Sequence, residues 1–318
     1  MLPRRCVVVL VSAGLGCAGG STVGPAQAHV PGCRGRPVMT VVAHQDDDLV
    51  FMSPDVLHNV EAGRCVQTLF LTAGDAGLGP DYWRAREDGA KAAYSSMARL
   101  PSLWTDEDVL VAGKLVHRAT MAGQPRVSLV FLRLPDGFAG QGSVTYGNES
   151  LQKLWERRIP VVHSVDRRTT YTRAELIGTV RRLMQDIQPE VVRLHTYQLR
   201  NPRIGARSAD HHDHVAAGYF GYEAQRQLPA RPRVLAYVGY PTRHLPSNVP
   251  PEETHRKRNA FYAYAAHDRL VRCKDDASCA GQPYDQWLTR QYPTSASPPR
   301  ADELASRTES IEYDDRSD

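Results

Sequence analysis

The chain has 318 residues, with 39 Lys and Arg against 35 Asp and Glu, a formal net charge of +4 and 42% apolar side chains. So small a charge excess at this length gives no electrostatic basis for a nucleic-acid role. Beyond the amino-terminal stretch, no run is long and apolar enough to cross a membrane as a helix.

In chain order, residues 1–28 read as a secretory signal. Arg4 and Arg5 form the positive head, Cys6 to Leu15 the apolar stretch, and Ala26-Gln27-Ala28 a small-x-small cleavage site before His29. Gly14-Leu15-Gly16-Cys17 is a poor lipoprotein site, because Gly14 stands where a larger aliphatic is usual. The expected protein is therefore secreted or extracytoplasmic, and anchoring through Cys17 is the less favoured reading. Export in turn predicts disulfides among Cys33, Cys65, Cys273 and Cys279, for which three connectivities exist. Cys33 precedes the first expected strand and Cys65 begins the second, so neighbouring parallel strands would bring them together. Cys273 and Cys279 would then close a small loop.

Val38-Met39-Thr40-Val41-Val42 is a short β-branched run after Pro37, the pattern of a buried strand. Ser53-Pro54-Asp55 can open a helix through about His58, and residues 65–72 form a second strand. From Asp81 to about Arg99 the pattern is that of an amphipathic helix. Alternating apolar residues at 109–116 and 127–134 predict further strands, with Gly123-Gln124-Pro125 as a turn. Thr172-Arg173-Ala174-Glu175 is a capping box for a helix to about Ile187, stopped by Pro189, with Glu190 to His195 as the next strand. Strands alternating with helices predict an α/β fold, a Rossmann-like, mostly parallel sheet flanked by helices. Residues 29–292 are enough for one well-filled domain. Residues 293–318 are Pro-, Ser- and acid-rich without periodicity, and a disordered tail is expected there.

Two clusters carry the chemistry. His44-Gln45-Asp46-Asp47-Asp48 follows directly on the first strand, where open parallel sheets place their ligands. Three adjacent carboxylates repel one another unless a cation or strong hydrogen-bond donors compensate. Far downstream stands Asp210-His211-His212-Asp213-His214. His211 and His214 share a face if the segment opens a helix. One of them could complete a His/Asp/His set with His44 and Asp47, leaving a position open for water, as catalytic zinc requires.

The two motifs together resemble those of the PIG-L/LmbE-like N-deacetylases, whose first motif is usually His-Pro-Asp-Asp-Glu and whose second is His-x-x-His. Leu69-Phe70-Leu71-Thr72-Ala73-Gly74-Asp75-Ala76-Gly77, Arg84 with Glu87, and Leu134-Pro135-Asp136-Gly137 are similar to further family segments and fall in the same order, so the resemblance covers about residues 37–245. It implies one Zn²⁺ per chain held by His44, Asp47 and His214. It also implies Asp46 as the base and His211 as the donor that stabilises the oxyanion. Two departures stand out: Gln45 replaces the usual proline, leaving the turn less rigid, and Asp48 replaces the usual glutamate, where an orienting role toward a ligand is expected. The implied activity is removal of an N-acetyl or other N-acyl group from an amino sugar or glycoconjugate. The rivals are a zinc amidase for another acylated small molecule or thiol conjugate, and a sugar-binding protein without catalysis. Substrate choice is expected to lie in loops 75–83, 136–150 and 196–209, with Asp75 and Asp136 rimming the pocket or forming turns, and Arg84 either reaching substrate or solvated.

Overall fold

The structure is a computed structural model that describes residues 33–197 and 210–295. The signal with Cys6 and Cys17, most of loop 196–209 and residues 296–318 lie outside the described residues. The elements are β1 (Val38–Val42), α1 (Asp47–Phe51), α2 (Asp55–Glu61), β2 (Val66–Thr72), α3 (Pro80–Ala98), β3 (Trp104–Val111), β4 (Lys114–Met121) and β5 (Val127–Leu134). They continue as α4 (Leu151–Trp155), β6 (Val161–His163), β7 (Thr170–Thr172), α5 (Arg173–Ile187), β8 (Val191–His195), α6 (His212–Arg226) and β9 (Arg233–Tyr237). The last are α7 (Pro251–Ala265), α8 (Asp276–Cys279), α9 (Pro283–Leu288) and β10 (Pro293–Ser295).

Eight strands form one sheet in the order β10-β9-β8-β1-β2-β5-β4-β3. The five from β9 to β5 are parallel, while β10 pairs antiparallel with β9, β4 with β5 and β3 with β4. The mostly parallel α/β architecture read from the sequence is the one present. β1 is buried along its whole length, which is why it reads as a continuous apolar run instead of an alternating one. Its side chains still divide by parity. Val38 and Val42 join Phe70 and Phe131 beneath α2, α3 and α7, while Met39 and Val41 join Leu69 and Leu71 beneath α5 and α6.

Three expectations need correction. The alternating stretch 109–116 is not one strand: it spans the end of β3, a turn at Ala112-Gly113 and the start of β4. Alternation continues through a tight hairpin, so periodicity alone does not reveal the turn. Pro293–Ser295, expected to open a disordered tail, instead pairs with β9 as an edge strand. The turn after β1 is not loosened by Gln45, whose buried side-chain amide donates to the Thr72 carbonyl at 3.0 Å and ties β1 to the end of β2.

The capping box at Thr172 and Glu175 forms as expected. So do both cysteine pairs, Cys33 with Cys65 and Cys273 with Cys279. The chain passes from β1 to β2 on one side and later returns to β8 on the other, so the carboxyl ends of β1 and β8 form the switch point of the sheet. Such crevices are where open α/β sheets bind their ligands. α6 lies close over this end: a Cβ at Gly218 would meet the His195 carbonyl at 2.5 Å, so glycine is what lets the helix approach.

Candidate metal and active site

His44 lies two residues past the end of β1, His195 ends β8, and His211 with His214 opens α6 as its cap and third residue. Asp47 is the first residue of α1, yet its carboxylate turns back to accept from the backbone N–H of His44 at 2.7 Å and of Ala43 at 3.1 Å. That places it between imidazoles. Oδ1 lies 2.9 Å from His214 Nε2, and Oδ2 lies 3.1 Å from His195 Nε2 and 3.5 Å from His44 Nδ1.

The histidine nitrogens His44 Nε2, His195 Nε2 and His214 Nε2 are buried without a hydrogen-bond partner. Close approach to a carboxylate without hydrogen-bond alignment is the arrangement of donors facing a shared cation. Among the described residues, three sets of donors each converge closely enough to hold an ion: His44 with His211 and His214; His44 with Asp136, His211 and Asp213; and Asp47 with His195 and His214. Of the set expected from sequence, Asp47 lies 3.5 Å from His44 and 2.9 Å from His214, while His44 and Asp47 fall in different donor sets, two of which share His214. His195 joins Asp47 and His214 as a further donor.

The surroundings fix these rings. Asp210 accepts from His214 Nδ1 at 2.8 Å, the carboxylate–histidine arrangement that orients metal ligands. His195 stacks on His214 at 4.1 Å with planes 5° apart, and Tyr240 and Phe51 stand edge-on to His214 at 5.0 and 5.6 Å. Asp213 Oδ2 accepts from the Gly137 N–H at 2.7 Å and lies 3.5 Å from His44 Nε2, linking the Leu-Pro-Asp-Gly loop to the first motif. Asp136 accepts from Phe138 and stands beside His44, 3.9 Å from its Nε2. Asp75 accepts from the N–H groups of Gly77 and Asp136, so its role is to join the two glycine turns.

Electrostatics follow from this packing. Burial works against a charged His214, but Asp47 and Asp210 outweigh it and raise the ring to about 9. Burial likewise disfavours the Asp47 carboxylate, but His214, His44 and His195 hold it well below the usual carboxylate range. His211 is pushed down to about 4 by burial and by the neighbouring His44, so its ring is neutral near pH 7. A cavity of about 160 Å³ opens over His44, Asp46, Asp47 and His211, walled on its other side by Tyr240 and Trp287.

Asp46 lines the cavity but is not free. Arg86 Nη2 donates to its Oδ1 at 2.8 Å and the Tyr284 hydroxyl to its Oδ2 at 3.2 Å. Asp48 departs from expectation: it points away from the donors into the core, where the Tyr94 hydroxyl donates to it at 2.5 Å, and burial raises it to about 7. Being one residue on from Asp47 in a helix, it must face another side. Arg84 is exposed with its guanidinium 4.9 Å over the Trp83 ring, so the cavity arginine is Arg86, two residues later. Glu87 is held by Arg133 through two hydrogen bonds of 2.7 and 2.8 Å, a structural pairing. His212 is in none of the donor sets among the described residues.

His195, Asp210 and Arg86 were not identified from sequence as site residues. His195 had a usable signal, since it ends a parallel strand and His44 closely follows another. Arg86 lies one turn from Tyr82 on the helix face turned inward.

Residues 39–225 match the family model described as PIG-L: GlcNAc-PI de-N-acetylase. No curated protein matches the sequence. Among solved structures, a zinc-inhibited form of teicoplanin deacetylase is 15% identical, with 79% of this chain and 90% of that one covered and a TM-score of 0.42. A conserved protein of Thermus thermophilus is 18% identical, covering 82% and 94%, with a TM-score of 0.42. The 4-carboxy-2-hydroxymuconate hydratase of Pseudomonas putida is 14% identical, covering 77% and 88%, with a TM-score of 0.39.

Proposed function

This chain belongs to the PIG-L family of de-N-acetylases, and from that premise we propose that it is an exported, metal-dependent hydrolase. Its substrate in this reading is an amino sugar or glycoconjugate, from which it removes an N-acetyl or other N-acyl group. The observation that supports the reading is that Asp47 lies 3.5 Å from His44 and 2.9 Å from His214, whose Nε2 atoms are buried without a hydrogen-bond partner, with His44 and Asp47 lining the cavity.

The residues fit a zinc ion. Imidazole and carboxylate are suitable zinc ligands, and Asp47 and His214 are already oriented by backbone amides and by Asp210. The buried carboxylates Asp46, Asp47, Asp136 and Asp213 also favour a bound cation. When bound, zinc would polarise the acyl carbonyl and lower the pKa of an attacking water.

The chain's own groups supply the rest. Asp46 takes one proton from the water as its oxygen bonds to the acyl carbon. Asp46 then returns that proton to the nitrogen as the C–N bond breaks, giving a carboxylic acid and an amine, which leave as carboxylate and ammonium once the acid's proton, the second from the water, passes to the amine. His211 stands across from His44, ring centroids 4.7 Å apart, and stabilises the developing oxyanion by donating to it. The disulfides Cys33–Cys65 and Cys273–Cys279 accord with an oxidising, extracytoplasmic destination. The domain limits proposed are a signal over 1–28 and the catalytic domain over 29–292, to which the edge strand Pro293–Ser295 is added.

The test is metal content together with amine release from N-acetylglucosamine conjugates, before and after chelation. About one zinc per chain with chelator-sensitive release is expected. Bound zinc without release would direct the search to another amide, and failure to take up zinc would sink the metal reading.

A pH dependence follows. With its ring raised to about 9, His214 carries a proton near neutrality in the metal-free protein, and a metal must displace it. Zinc affinity should therefore rise with pH between 6 and 8, about tenfold per unit for one competing proton. Calorimetry in buffers of different ionisation enthalpy would show the released proton. An affinity flat across that window would contradict the assignment of His214.

A further inference from the structure

Asp46 caps α1, but its side chain makes no hydrogen bond to that helix. A capping aspartate normally accepts from its own first-turn amides. Here both oxygens are drawn elsewhere, Oδ1 to Arg86 and Oδ2 to Tyr284. Arg86 is itself fully engaged. Its Nη1 donates to the Gly74 carbonyl at 2.6 Å and its Nε to the Tyr264 hydroxyl at 2.6 Å. Tyr264 donates onward to Asp268 Oδ2 at 2.7 Å, and that same oxygen lies 3.2 Å from Arg86 Nε. Asp268 is 2% exposed and also accepts from Tyr82 at 2.9 Å.

Tyr284, Tyr264 and Asp268 all lie beyond residues 39–225, in the segment that closes the cavity. That segment is anchored independently of Asp46. The Cys273–Cys279 bond holds the loop after Asp268, and the buried Lys257 Nζ donates to the Arg290 carbonyl at 2.7 Å.

We propose that Tyr284 and Asp268 are positioning residues that set the direction of the Asp46 carboxylate. Asp268 acts through Arg86, and Tyr284 acts directly. Two bonds on separate oxygens fix both the rotation of the carboxylate and which lone pairs remain for the water and the leaving nitrogen. A free carboxylate would turn to the amides of α1 instead. The carboxyl-terminal cap thereby completes the active site that the two motifs begin. This inference rests on Asp46 being the proton acceptor.

Tyr284→Phe removes only the hydroxyl and keeps the ring against Phe261 at 4.8 Å and Trp287 at 5.3 Å. Its kcat should fall about tenfold, the size of a lost orientation of a proton-transfer group, while KM, metal content and thermal midpoint stay unchanged. Asp268→Asn should lower kcat at least as much. If Asp268→Asn does not fold, Tyr284→Phe carries the test alone. A merely structural role would move Tm or KM along with kcat. An unchanged kcat in Tyr284→Phe, or a change confined to KM, would overturn the proposal. Asp46→Asn assayed beside it separates the two failures: turnover retained in that variant removes the base itself, whatever Tyr284 does.

Discussion

Asp46→Asn is expected to leave a folded protein with its metal uptake intact and a kcat lower by about 10²–10⁴-fold, the usual contribution of a positioned general base. The fold should tolerate the change because Arg86, which loses a carboxylate partner, retains Asp268 at 3.2 Å and the Gly74 carbonyl at 2.6 Å. A buried cation stripped of every partner would instead be strongly destabilising. Metal uptake should persist because the proposed ligands are other residues, and the turn that presents Asp47 is held by the amides of Ala43 and His44. The asparagine amide can still accept from Arg86 but cannot take a proton from water. Amine release and metal content measured on one preparation would check both halves. Turnover within tenfold of the parent would remove Asp46 from this role.

Asp47→Ala is expected to abolish stoichiometric metal binding and, with it, turnover. The carboxylate lies within 3.1 Å of two imidazoles and is 3% exposed, so no solvent group can take its place without rearrangement. Its removal also takes the charge that favours cation binding among His44, His195 and His214. Asp210→Asn gives the graded comparison. It loosens only the outer partner of His214 and should cost about 10–100-fold in affinity, not all of it. Equilibrium dialysis with zinc, followed by metal analysis of the three proteins, would order them as parent, Asp210→Asn, Asp47→Ala. Full occupancy in Asp47→Ala would mean that the ion sits elsewhere, with His44, Asp136, His211 and Asp213 as the neighbouring donor set to examine next.

Much of the site was legible because it is local. The first motif joins a strand to a helix, so the order of its residues already decides which can face one another. Asp47 turns back toward the strand end, and Asp48, one position on, must face the core. The second motif begins a helix, and a spacing of three brings His211 and His214 to one side. The reading of Asp48 failed because residue type suggested a polar role and helix phase was not applied. Its acceptor role toward Tyr94 depends on α3 lying over α1, a contact 46 residues away in sequence.

By itself the sequence determined the buried strands β1, β2 and β8, the capping box at Thr172 and the two clusters that carry the chemistry. Each is set by neighbours within a few residues, or by apolar periodicity, which acts along a single element. Only the tertiary structure decided that β8 lies beside β1, which brings His195 to Asp47 across 148 residues. Only it placed Arg86, instead of Arg84, in the cavity, since helix rotation is fixed by packing against α7. It alone brought Asp268 and Tyr284 to the opposite side of Asp46. Such pairings join segments far apart in the chain, and no local pattern records them. They come from burying both faces of one sheet, which draws the carboxyl-terminal helices over the strand ends where the motifs already stand.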